Sequence, residues 1–138
     1  MHVFAVVNQK GGVGKTTTSV NLAASLAAMH RKVLLIDLDA QGNATMGVGI
    51  DKHTLERSIY DVFIDDLRAR DVITATSVAG LSLIGANSDL TGLELTLSEK
   101  PGREIRLRDS LAALQREFDV VLIDCPPALN LLTLNALV

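Results

Sequence analysis

Two lysines bracket a run of glycines in the stretch Asn8 to Thr17, NQKGGVGKTT. Gly11, Gly12 and Gly14 let the backbone curl until successive N–H groups face one concavity, and a helix starting near Thr16 adds the positive end of its dipole there. Such a cradle holds anionic oxygen. Lys15, directly after the last glycine, has the reach for terminal phosphate oxygens, and the Thr16 hydroxyl suits a divalent cation. The loop from Gly11 through Val13 to Thr17 is therefore expected to bind a polyphosphate with Mg2+.

Phosphoryl transfer also needs carboxylates, and Asp37, Asp39 and Asp124 close two apolar runs. Asp124 ends VVLID, the form of a Walker B strand, and is expected to hold Mg2+ directly or through water. Its structural alternative is a cap on the following turn. Asp37 and Asp39 share a face of an extended chain because strand side chains alternate. One of them would support the water shell of the metal while the other orients the attacking water; a purely structural Asp37 is the alternative. Dinucleotide binding of the NAD type is excluded, since GGVG lacks the spaced G-x-G-x-x-G pattern.

Elements of alternating type must bring the loop and the carboxylates together. Val3 to Asn8 and Lys32 to Asp39 are apolar, β-branched runs that read as parallel strands buried on both faces. Between them, Thr16 to Arg31 has helical composition, with Val20, Ala23, Ala24 and Ala27 on one side and Leu22, Leu26 and Met29 as a second apolar stripe. After a Gly- and Asn-rich loop, short helices are expected at Thr54 to Ile64 and Asp66 to Thr76. A third strand follows at Gly80 to Asn87, an irregular helix at Asp89 to Ser98, an amphipathic helix at Arg103 to Phe118 and a fourth strand from Asp119 that stops at Pro126 and Pro127. The run Leu129 to Val138 opens an apolar helix and ends without a cap. This alternation predicts an α/β fold, a parallel twisted sheet with flanking helices.

Composition limits the function classes. The 138 residues are 48% apolar and 3% aromatic with a net charge of −3, which suits one domain with an aliphatic core and argues against a chain-wide basic surface for nucleic acid. No run of eighteen apolar residues and no signal peptide appears, so a cytoplasmic location without membrane attachment is expected. Cys125 is the sole cysteine and reads as a small buried hydrophobe.

KGGVGKTT with Lys10 in front, LLIDLDAQGNAT, GLSLIGAN and VLIDCPPALN, in that order, resemble the ParA/Soj family of partition ATPases, a deviant Walker A group that also contains MinD and the nitrogenase iron protein. The resemblance runs through the whole chain and implies the P-loop NTPase fold, incomplete at its C-terminus, with residues 1–138 the N-terminal part of a single ATPase domain. It implies ATP and Mg2+ as cofactors. Residue by residue, it marks Lys10 as the signature lysine that reaches the partner's phosphates across an ATP-sandwich dimer, Gly11, Gly12, Val13, Gly14, Lys15, Thr16 and Thr17 as the phosphate loop, and Asp39 as the aspartate that positions water. Lys10, Lys15 and Asp39 are then the catalytic residues, and Thr16, Asp37 and Asp124 the metal group. Ala40 replaces the family's commoner proline.

As partners the resemblance implies an ATP-dependent homodimer, a centromere-binding ParB-like protein and nonspecific DNA, the last through residues beyond this chain, with nucleoid association following. The alternatives are a MinD-like membrane-cycling ATPase and a truncated module that binds nucleotide without hydrolysis. An iron-protein reductase would need two cysteines per subunit.

Overall fold

The computed structural model describes residues 1–6, 13–64, 68–90 and 106–125, with residues 13–17 and 106 described in backbone only. Five strands, β1 (His2–Val6), β2 (Val33–Asp37), β3 (Thr74–Ala75), β4 (Leu81–Ile84) and β5 (Val120–Asp124), form one sheet in the order β1-β5-β2-β4-β3. Among the described residues the helices are α1 (Val13–Ala28), α2 (Asn43–Gly47), α3 (Ile59–Ile64) and α4 (Arg106–Ala112), with 3-10 turns at Lys52–Thr54, Ala69–Val72 and Ser88–Leu90. The pairs β1–β5, β5–β2 and β2–β4 are parallel, as the alternation of strands and helices requires.

Burial explains why the strands read as unbroken apolar runs. On β2, Leu34 and Ile36 pack with Leu38, Ile59, Phe63, Leu107, Leu114 and Val121. Val33 and Leu35 face the opposite way, against Ala23, Ala27, Leu83 and Leu122. Both faces are dry, and all five residues of β2 and of β5 are buried.

The structure departs from the sequence-based expectations at several points. β1 is not covered on both faces: it borders the sheet, and Val3 and Phe4 are 45% and 54% exposed. The second stripe divides: Leu22 on α1 and Met29 just beyond it are exposed, Leu26 packs half-buried against the sheet, and the small Ala23 and Ala27 of the first side are buried. α1 begins at Val13, three residues before Thr16, so Gly14 belongs to its first turn. The expected helix from Asp66 to Thr76 is instead a 3-10 turn followed by β3, which pairs antiparallel with β4 at the sheet edge. β-Branched Val72, Ile73 and Thr74 favour that extended ending.

The helix expected at Thr54 to Ile64 contracts to α3, and the one at Arg103 to Phe118 appears as α4, with turns continuing to Glu117. A further helix, α2, occupies the loop after Asp39. Of the helix expected at Asp89 to Ser98 the start is a 3-10 turn, and its remainder, like Leu129 to Val138, lies outside the described residues.

Candidate functional site

β5, the last strand among the described residues, inserts between β1 and β2, and its register aligns three strand ends in one row. Val6 pairs with Asp124, and Asp124 pairs with Asp37. In sequence the glycine-rich stretch lies between β1 and α1, and Val6 and two of the expected carboxylates close their strands at one edge of the sheet. That is the edge at which open parallel sheets bind ligands.

Asp124 is fully buried. Its Oδ1 accepts a hydrogen bond from the Ser19 hydroxyl of α1 at 2.8 Å, across 105 residues of sequence. Lys15 and Thr16 lie four and three residues before Ser19 in the same helix, so this bond holds Asp124 beside the first turns of α1.

Asp37 is also fully buried, and both its oxygens are engaged. Oδ1 accepts from the Asp39 amide at 3.0 Å; Oδ2 accepts from the Thr45 amide at 2.9 Å and from the Thr45 hydroxyl at 2.8 Å. Burial pushes its carboxyl up from 3.8 to about 6, against the lowering effect of these three hydrogen bonds, and the neighbouring negative charge of Asp124 adds to the rise. Asp39 lies two residues beyond the end of β2, half-buried, and its Oδ1 accepts from the Gln41 amide at 3.0 Å while its carbonyl accepts from the Gly42 amide at 2.8 Å. Asp39 is thus presented by a tight turn rather than by the strand itself.

The oxygen donors fit a hard cation. Mg2+ is held by one or two carboxylates together with substrate phosphates, and the repulsion between Asp124 and Asp37 is the kind that a cation at this edge relieves. Three protein donors already occupy Asp37, which limits what that carboxylate can offer a cation. Among the described residues no group of three His, Cys, Asp or Glu side chains gathers as a metal site.

Of the expected site residues, Asp37, Asp39 and Asp124 come together. Val13, Gly14, Lys15, Thr16 and Thr17 form the start of α1, and Lys10, Gly11 and Gly12 lie outside the described residues. Sequence reasoning missed Ser19 and Thr45. Ser19 carried a signal, since it stands one helical turn after Thr16; Thr45 carried none beyond being polar in a loop.

The family model described as an AAA domain matches residues 1–138. Soj, the sporulation initiation inhibitor protein of Bacillus subtilis, is 51% identical over 135 residues, 98% of this chain and 53% of that protein. ParA, a chromosome partitioning protein of Myxococcus xanthus, is 48% identical over 98% of this chain and 48% of its own length. The chain belongs to this ParA/Soj family of AAA-domain proteins. Among solved structures, cobyrinic acid a,c-diamide synthase of Mycobacterium smegmatis, holding an ATP analogue and magnesium, superposes with a TM-score of 0.94 at 46% identity, over 99% of this chain and 56% of that one.

The ParA/Soj chain described here therefore has the P-loop fold, and it spans about half the length of the curated relatives it matches. Among the described residues, no helix is long and apolar enough to cross a membrane.

Proposed function

We propose that the chain is the nucleotide-binding half of a Mg2+-dependent ATPase of the ParA/Soj type. One observation carries this reading: Val6, Asp124 and Asp37 stand in register at adjacent strand ends, and KGGVGKTT follows the first of them in sequence, from Lys10. The ATP analogue and magnesium held by the Mycobacterium smegmatis protein support the choice of ligand. Mg2+, when bound, would supply charge neutralisation to the terminal phosphates. The protein's part is division of labour. Gly11 to Thr17 and Lys15 bind the phosphates, Thr16 and Asp124 hold the metal, Asp37 braces the turn behind it, and Asp39 orients water for attack.

Lys10 acts in trans, reaching the partner's phosphates in an ATP-bound dimer, so that hydrolysis follows dimerisation. The whole protein then cycles between an ATP dimer that binds nonspecific DNA and a monomer, with a ParB-like partner stimulating turnover in DNA segregation. The name of the ParA relatives, chromosome partitioning proteins, supports the partition role over a MinD-like membrane cycle.

The test is ATP affinity and Mg-ATP turnover for the parent, Lys10→Ala and Lys15→Ala, in this chain and in the full-length protein that carries it. Lys15→Ala should abolish nucleotide binding, whereas Lys10→Ala should bind nucleotide and lose dimer-dependent hydrolysis. A Lys10→Ala protein that hydrolyses ATP as fast as the parent removes the trans mechanism, and binding without turnover in the full-length parent leaves a non-hydrolytic module. ATP-dependent amidation of cobyrinic acid by the parent, the chemistry named for the Mycobacterium smegmatis protein, would replace partition with biosynthesis.

A further inference from the structure

The turn that presents Asp39 is held from behind by a chain of buried hydrogen bonds that the phosphate and metal roles leave unexplained. The Ala86 amide, just beyond β4, donates to the Thr45 hydroxyl at 3.0 Å. That hydroxyl donates in turn to Asp37 Oδ2 at 2.8 Å, and the other oxygen of Asp37 accepts from the Asp39 amide at 3.0 Å. Ala86, Thr45 and Asp37 are all fully buried. Because an amide can only donate and a carboxylate only accepts, the direction of the hydroxyl proton is fixed.

The same contact caps α2. Its N-cap is Gly42, which offers no side chain, and the Thr45 amide, a first-turn donor without an intrahelical partner, is taken by Asp37 Oδ2 at 2.9 Å. Space is tight around the clasp. A Cβ on Gly85 would meet the Thr45 methyl at 3.3 Å, and a Cβ on Gly42 would meet the Ala86 carbonyl at 2.8 Å. The Gly85 carbonyl accepts from the Ile59 amide at 2.9 Å, which ties this support to α3. On the outer side, the Lys52 ammonium donates to the Gln41 carbonyl, so the turn from Asp39 to Gly42 is gripped between Lys52 and Ala86.

We propose that Thr45 is a positioning residue for hydrolysis: by joining Ala86 to Asp37, its hydroxyl fixes the orientation of the Asp39 turn and governs turnover while leaving nucleotide affinity to the phosphate loop. The proposal rests on the reading of Asp39 as the water-orienting group. The Thr45 hydroxyl bonds Asp37 and accepts from the Ala86 amide, so its effect on the chemistry passes through Asp37 to the Asp39 turn and appears in kcat. Valine keeps the shape of threonine and removes the hydroxyl; serine keeps the hydroxyl and removes the methyl.

The test uses the full-length protein as parent, Thr45→Val and Thr45→Ser, with ATP affinity, kcat and amide hydrogen exchange at Asp39 and Ala86. For Thr45→Val, loss of a buried bond to a charged acceptor should speed exchange at both amides and lower kcat roughly tenfold or more, with ATP affinity unchanged within about threefold. Thr45→Ser should restore kcat and protection. Unchanged turnover in Thr45→Val, a loss seen wholly in affinity, or a serine variant as impaired as valine would overturn the proposal.

Should Thr45→Val not fold, the parent alone decides. Asp39 and Ala86 amides that open together support the clasp, and amides that exchange independently refute it. A parent that binds ATP without turning it over overturns the proposed hydrolysis instead; the exchange comparison still separates the clasp from its absence.

Discussion

Replacing Gly42 with alanine tests how tightly the Asp39 turn is built, and Gly49→Ala provides the control. Both glycines lie in the left-handed region, at φ 66° and 86°. For an L-residue that conformation costs roughly 1–2 kcal/mol, of which the stiffer unfolded chain returns about 0.4–1. The surroundings separate the two. A Cβ at Gly49 meets nothing within 4 Å, whereas one at Gly42 falls 2.7 Å from Lys52 Cδ and 2.8 Å from the Ala86 carbonyl oxygen. The lysine can swing aside, but the carbonyl is backbone at the end of a buried strand, and overpacking of that kind costs about 1–3 kcal/mol more. Gly49→Ala should therefore lose about 1 kcal/mol and Gly42→Ala about 3 kcal/mol of unfolding free energy. Urea unfolding followed by circular dichroism at neutral pH measures both. Equal losses, or a smaller loss at Gly42, would show that the turn yields and that its grip between Lys52 and Ala86 is weak.

The raised Asp37 carboxyl gives stability a pH dependence of definite sign. Since the folded state holds this proton more tightly than the unfolded chain, the group's contribution is fully present below the ordinary value of 3.8 and is lost as pH rises through about 6. Measured against non-titrating Asp37→Asn, parent stability should decline by about 2 kcal/mol between about pH 4 and about pH 7; a difference that stays flat or grows with pH refutes the assignment. Ser19→Ala removes the 2.8 Å donor to buried Asp124 and should cost about 1.5–3 kcal/mol in thermal or urea unfolding, with a loss below about 0.5 kcal/mol counting against an ordered Ser19–Asp124 pair.

How much was legible in the sequence depended on whether the signal was local. Val33 to Asp37 and Val120 to Asp124 read correctly as buried strands because a parallel strand dry on both faces must be apolar at every position. Asp37 and Asp124 stand at strand ends, as the stops of the two apolar runs suggested, whereas Asp39 lies on the turn beyond β2. β1 has the same composition, but no local pattern says which strand will border the sheet, and the exposure of Val3 and Phe4 follows only from the order β1-β5-β2-β4-β3. α2 was invisible for a related reason. Its five residues lack a side-chain cap of their own, and the carboxylate that accepts from its first turn belongs to Asp37, on the preceding strand.

Asp37 and Asp124 also show why two residues of one type at paired positions acquire different work. They share a register row and full burial, and charge alone does not distinguish them. Their neighbours do. Asp124 meets α1 through Ser19, which fixes it beside the helix that the phosphate loop enters. Asp37 meets the chain that follows it, and three donors from Asp39 and Thr45 turn its carboxylate into a brace. A carboxylate so engaged has little left for a metal ion, yet its burial and its repulsion with Asp124 hold free energy that a cation at this edge would release. The ligand's binding and the rigidity of the Asp39 turn are then linked through one buried side chain. That link is available only once β5 has inserted between β1 and β2, so the site forms as part of the long-range fold rather than from the loop alone.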